Sequence, residues 1–123
     1  MKTVRIITVC LLSVILFHCQ SRHSGSTSVK VSENKKMYKL DASFNEDKVM
    51  DVYRYINSSL KPQSLFTSED DRVDVSMTLG DGTTFQIKAY RGDLSLTFDK
   101  RSNSRKSYSR IRELCEGVKE IVL

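Results

Sequence analysis

Val73-Asp74-Val75-Ser76-Met77-Thr78-Leu79-Gly80-Asp81-Gly82-Thr83-Thr84-Phe85-Gln86-Ile87-Lys88-Ala89-Tyr90-Arg91-Gly92-Asp93-Leu94-Ser95-Leu96-Thr97-Phe98 is the stretch that decides the fold. Val73, Val75, Met77 and Leu79 alternate with polar residues, and so do Phe85, Ile87 and Ala89. Leu94, Leu96 and Phe98 repeat the pattern. A period of two places successive side chains on opposite faces of a strand, so each run has one apolar face. Gly80-Asp81-Gly82 and Arg91-Gly92-Asp93 separate the runs with residues that tolerate positive φ. The expectation is an antiparallel meander of three strands, apolar on one side.

A sheet with one apolar face needs a cover, and the flanking sequence supplies it. Downstream, Ile111, Leu114, Cys115, Val118, Ile121 and Val122 form a helical stripe. That helix is expected to start near Ser107 or Ser109, with Gly117 as a weak point inside it. Upstream, Val49, Val52, Tyr53, Ile56 and Leu60 recur at helical spacing. Asn45 suits the N-cap, Phe44 and Val49 suit a hydrophobic staple, and Pro62 ends the run. Before it, Tyr38, Leu40, Ala42 and Phe44 alternate as a further strand. The fold class expected is therefore α+β, a four-stranded antiparallel sheet with two amphipathic helices on one face, in the order β-α-β-β-β-α over residues 36–123.

Residues 20–35 contain five serines and no aromatic, and read as a flexible tether. Val29 and Val31 alternate with polar neighbours and leave room for a short edge strand. Ahead of the tether, Lys2 and Arg5 precede the mostly apolar run Ile6–Phe17. Such a run, helical at 1.5 Å per residue, is shorter than a ~30 Å hydrocarbon core. Residues 1–19 are expected to be a signal peptide.

Leu16-Phe17-His18-Cys19 resembles the lipobox of small bacterial lipoproteins in its position and in Leu16. It departs at Phe17 and His18, where small residues are usual. The resemblance implies that Cys19 is lipidated with a diacyl anchor and becomes the mature N-terminus, with palmitate among its acyl chains. It also implies a membrane-anchored location in the bacterial cell envelope, facing the periplasm or the exterior. Ordinary cleavage near Cys19-Gln20-Ser21 would give a secreted soluble protein instead, and an uncleaved anchor is the third course.

Cysteine and charge narrow the function classes. The cysteines are Cys10, Cys19 and Cys115, so an acylated Cys19 leaves Cys115 as the one thiol of the mature chain. Residues 1–35 hold five of the 20 basic residues and one of the 15 acidic ones, which leaves 15 and 14 for 36–123, a net charge of +1. No broad basic field for nucleic acid is expected.

His18 and His23 are the only histidines, and both precede residue 36. A Ser-His or Cys-His nucleophile pair cannot be built inside the domain. Ser58-Ser59-Leu60-Lys61 and Ser32-Glu33-Asn34-Lys35 have S-x-x-K spacing, but one sits at a helix end and the other in the tether. Asn57-Ser58-Ser59 spells a glycosylation sequon, and Arg91-Gly92-Asp93 an integrin-type tripeptide that a hairpin turn explains. Glu69-Asp70-Asp71 lacks the spacing of a calcium loop. Residues 45–123 are similar in element order to double-stranded RNA-binding domains, a similarity of architecture alone.

Lys100, Arg101, Arg105, Lys106, Arg110 and Arg112 form the densest charge signal, a candidate contact for an anionic partner. The expected function is a non-enzymatic, membrane-tethered lipoprotein with a protein-binding domain, either inhibitor or immunity-type or an accessory subunit of an envelope machine. The alternative is an anionic-ligand or lipid-headgroup module using the basic loop 100–112. No metal or cofactor is expected. Partners are the membrane, through the N-terminal lipid, and a protein, with exposed Tyr90 on the outer sheet face as a candidate anchor.

Overall fold

A computed structural model describes residues 27–123. The signal segment 1–19, candidate Cys19 and tether residues 20–26 lie outside the described residues. The chain runs β1 (Ser28–Glu33), β2 (Met37–Ser43), α1 (Val49–Ser59), β3 (Val73–Thr78), β4 (Thr84–Tyr90), β5 (Asp93–Asp99) and α2 (Arg105–Val122). One turn of 3-10 helix leads into each α-helix, Glu46–Lys48 before α1 and Lys100–Ser102 before α2. The strands form a single sheet in the order β1-β2-β5-β4-β3, antiparallel throughout.

The α+β class holds, with an antiparallel sheet and two helices, but the sheet has five strands rather than four and the order is β-β-α-β-β-β-α. The extra strand, β1, falls inside the 20–35 stretch expected as tether. Its burial explains why its signal is faint: of Ser28–Glu33 only Val29 is partly covered. Pairing along β2 and the β1–β2 turn hold it instead. The Asn34 carboxamide oxygen accepts the backbone N–H groups of Lys36 and Met37, closing that turn. The sheet thus includes Ser28–Glu33, ahead of the boundary expected at 36.

The core lies between the inner sheet face and the helices. Leu40, Ile87, Leu96 and Phe98 from the sheet meet Val52, Ile56, Ile111 and Val118, all at most 2% exposed. The helical stripes expected from spacing are the buried ones, except that Ile121 is only half-buried. The helix starts differ. Asn45 is extended and its side chain caps nothing, so the 3-10 turn intervenes. The second helix begins at Arg105 because Ser104 Oγ accepts the Ser107 N–H at 3.0 Å. Five strands at ~4.8 Å are wider than two helices can blanket, so the edge valines on the inner face stay open: Val31 is 40% and Val75 39% exposed.

Candidate functional site

Each strand turns its polar residues to the sheet face opposite the helices, and no described element covers that outer face. The pairing register sets them in rows. One row crosses all five strands: Lys30 on β1 opposite Asp41 on β2, then Ser95 on β5, Lys88 on β4 and Asp74 on β3. The next row holds Ser28, Ser43, Asp93 and Tyr90. Together they line a shallow trough of about 490 Å3.

Tyr90 stands at the trough's rim, 37% exposed. Two arginines flank its ring, Arg72 with its guanidinium carbon 4.0 Å from the centroid and Arg91 at 5.8 Å. The Arg91-Gly92 turn makes this arrangement possible. Both residues have positive φ, 47° and 90°, as a two-residue hairpin linking Tyr90 to Asp93 requires. Gly92 is fixed twice over: its carbonyl accepts the Phe44 N–H at 2.8 Å, and a Cβ would collide with the Phe44 carbonyl oxygen. The tripeptide 91–93 is thus a hairpin element, as its spacing implied.

The six basic residues singled out in 100–112 lie at the other end of the sheet, where α2 starts. Three are engaged. Lys100 Nζ donates to Glu33 Oε2 at 2.6 Å and to the Asn34 carbonyl. Arg101 grips both carboxylate oxygens of Asp99 at 3.1 Å. Arg110 reaches Asp81 at 2.8 Å and the Ser59 carbonyl at 3.2 Å. Arg105, Lys106 and Arg112 make no ion pair among the described residues. Ser28, where β1 begins, is at the opposite end, roughly 17 Å away at 3.4 Å per strand residue.

These pairs do structural tasks. Lys100 and the Tyr108 hydroxyl both donate to Glu33, hold its carboxyl below the usual range, and tie β1 to α2. Asp81 accepts the Thr83 N–H and pairs with Arg110, which lowers its pKa to about 2. Sequence reasoning missed the role of Asn57, which it read as part of a sequon. Its side chain accepts the Leu65 and Phe66 N–H groups and donates to the Phe66 carbonyl, clamping the loop after α1.

The remaining candidates resolve into scaffold. Asp71 accepts the Thr67 and Ser68 N–H groups, and Asp70 pairs with Arg91. No metal-binding cluster of three His, Cys, Asp or Glu exists among the described residues. Cys115 is fully buried, and burial pushes its thiol pKa up to about 12. A second groove, about 570 Å3, lies where α1 and α2 meet, but Leu60, Leu79, Ile111 and Leu114 on its floor are already sealed into the core. Among the described residues no helix is long and apolar enough to cross a membrane. No family model, curated protein or solved structure matches the chain.

Proposed function

We propose that this chain is an exported, membrane-tethered lipoprotein of the bacterial envelope whose domain binds a protein partner through its outer sheet face, without catalysis. The observation that carries the reading is Tyr90, exposed on that face and stacked by Arg72. Tyrosine and arginine dominate interface hot spots because they combine contact area, low entropy loss and polar tips. The trough beside them is lined by carboxylates, amines and small serines, which suits a polar, specific protein contact. The 17 basic and 15 acidic residues of 27–123 leave a field too balanced for nucleic acid.

The anchor itself rests on Cys19 and the apolar run before it. Labelling with a palmitate analogue tests it: label on the wild type and none on Cys19→Ala is the expected result. The headgroup-binding alternative draws support from Arg105, Lys106 and Arg112, which have no carboxylate partner among the described residues. Against it stands their place at the end of the sheet away from Ser28, where a tether would enter.

The contact surface is tested by capture from membranes with the full chain, wild type beside Tyr90→Ala and Arg72→Ala. Loss of a hot-spot aromatic should lower recovery of the partner by tenfold or more. Equal recovery by wild type and Tyr90→Ala would overturn the outer-face reading.

A further inference from the structure

We propose that the partner of the outer sheet face is a second copy of this chain, docked face to face about a two-fold axis parallel to the strands. The inference rests on the reading of that face as the contact surface, and names its occupant.

The observation is the order of charges in the cross-sheet row. From β1 to β3 it reads Lys30, Asp41, Ser95, Lys88, Asp74: plus, minus, neutral, plus, minus. Ser95 is on β5, the central strand of the five. Consider a second sheet lying on this face, with the two-fold axis between the sheets, parallel to β5 and above Ser95. The rotation exchanges left and right flanks. Asp41 then faces Lys88 of the copy, Lys30 faces Asp74 of the copy, and Ser95 faces Ser95. Four opposite-charge encounters arise from one row.

The neighbouring rows agree in size and polarity. Tyr90, the bulkiest residue of the face, comes opposite Ser43, one of the smallest, and Lys39 comes opposite Gln86. One like-charge encounter remains, Asp93 with its own copy at the end of β5. Asp99, also on the axis, is already held by Arg101. Lys30, Lys88 and Asp74 have no ion pair among the described residues, and Asp41 has only Lys39 at 3.9 Å. Their charges remain available for a partner.

The alternative two-fold axis, perpendicular to the strands, sets Lys30 on Lys30, Asp41 on Asp41, Lys88 on Lys88 and Asp74 on Asp74, and is repulsive at all four charged positions of the row. The two axes also differ in where the chains lead. About the strand-parallel axis both copies keep Ser28 at the same end, so both preceding segments leave toward one side. That suits two copies anchored in one membrane. About the other axis they leave from opposite ends.

The area suits a weak, regulated pair. Five strands at ~4.8 Å and seven residues at ~3.4 Å give a patch of about 24 by 24 Å, or roughly 1,100 Å2 buried in total. That is the low end for specific association. Twisted sheets stack with strands about 30° apart, so contacts near the centre count most, and these are Asp41 with Lys88. Ion pairs of this kind are screened by salt. Confinement on one membrane would raise the effective concentration of copies.

The test uses two differently tagged full-length copies in one cell, scored by co-capture. Wild type should capture wild type, and capture should fall steeply between about 0.05 and 0.5 M salt, as the Debye length shortens. Asp41→Lys alone sets lysine against lysine, and Lys88→Glu alone sets carboxylate against carboxylate, so each should lose self-capture by tenfold or more. Mixing the two variants restores both pairs. In the mixed pair, position 41 of each copy again faces the opposite charge at position 88 of the other. The mixed pair should return to wild-type capture, which also shows that both variants are folded. Asp93→Asn should strengthen self-capture. Absence of wild-type self-capture, unchanged capture by the single variants, or no recovery in the mixed pair overturns the proposal. Absent self-capture beside a Tyr90-dependent heterologous partner would overturn self-pairing and leave the outer-face reading standing.

Discussion

The Tyr55 ring lies across the backbone of Gly117, and its hydroxyl donates to the Glu113 carbonyl of the same helix at 3.2 Å. A Cβ at 117 would overlap the ring. The glycine that looks like a flaw in the α2 stripe is the place where the two helices close on each other. Helix propensity alone would make Gly117→Ala favourable by about 1 kcal/mol. The overlap should reverse the sign, giving a net loss of about 1–2 kcal/mol as Tyr55 is expelled. In a Tyr55→Ala background the same substitution should stabilise. Urea melts of the four variants of this cycle decide it; the same sign in both backgrounds would refute the account.

Tyr53 stacks on Phe66 with ring centroids 3.7 Å apart and is 2% exposed. Among the described residues its hydroxyl makes no hydrogen bond, the Arg91 backbone lying nearby, and burial raises its pKa. A buried hydroxyl without a partner is a liability, so Tyr53→Phe should be neutral or stabilising by up to about 1 kcal/mol. A loss above about 1 kcal/mol would mean the hydroxyl has a bound partner in solution.

Asp81 sets an acid limb on stability. Its folded pKa is about 2, below the ordinary 3.8, through the Thr83 N–H first and Arg110 among the further causes. A depressed carboxyl stabilises the fold above its unfolded pKa and loses that effect as pH falls through the folded value. Wild type and Asp81→Asn should therefore differ at about pH 5 and converge between about pH 4 and 2. Urea midpoints across that range provide the check, and a pH-independent difference would assign the effect to shape rather than charge.

The basic cluster is tested by changing Lys100, Arg101, Arg105 and Lys106 to Gln together. Because Lys100 and Arg101 are tied to Glu33 and Asp99, they offer an anionic surface less than their count suggests. Each free basic residue near such a surface contributes about 1 kcal/mol. Under the outer-face reading, the wild-type domain without its lipid anchor should sediment with anionic liposomes weakly or not at all near physiological salt. Strong wild-type binding that the quadruple change abolishes would favour the headgroup module.

The two helices and strands β2, β4 and β5 were readable from spacing because each buries an apolar stripe or alternate set, and β3 was readable from its alternation although only Val73 and Met77 are partly covered. Leu40, Ile87, Leu96 and Phe98 could face nothing but a core. Strand β1 was not readable in that way. Its Val31 stays exposed, and its place depends on the ladder to β2, on Asn34 and on the distant Lys100 and Tyr108 that hold Glu33. The candidate site divides along the same line. Tyr90 could be placed on the outer face from alternation alone. Arg72 stacked upon it comes from a different strand entrance, and nothing in the sequence announces the meeting.

Composition and periodicity by themselves determined the class of this protein: α+β, one apolar sheet face, two covering helices, a thiol buried at 115 and no histidine in the domain. These follow from local spacing and from residue counts, which need no partner to be read. Tertiary structure alone decided that β2 and β5 are neighbours, that Lys100, Arg101 and Arg110 are paired, and that Gly117 is a contact rather than a defect. It also decided that Lys30, Asp41, Ser95, Lys88 and Asp74 stand in one row. The reason is physical: strand order and register arise from how five strands share one core, and that choice depends on contacts between residues far apart in the chain.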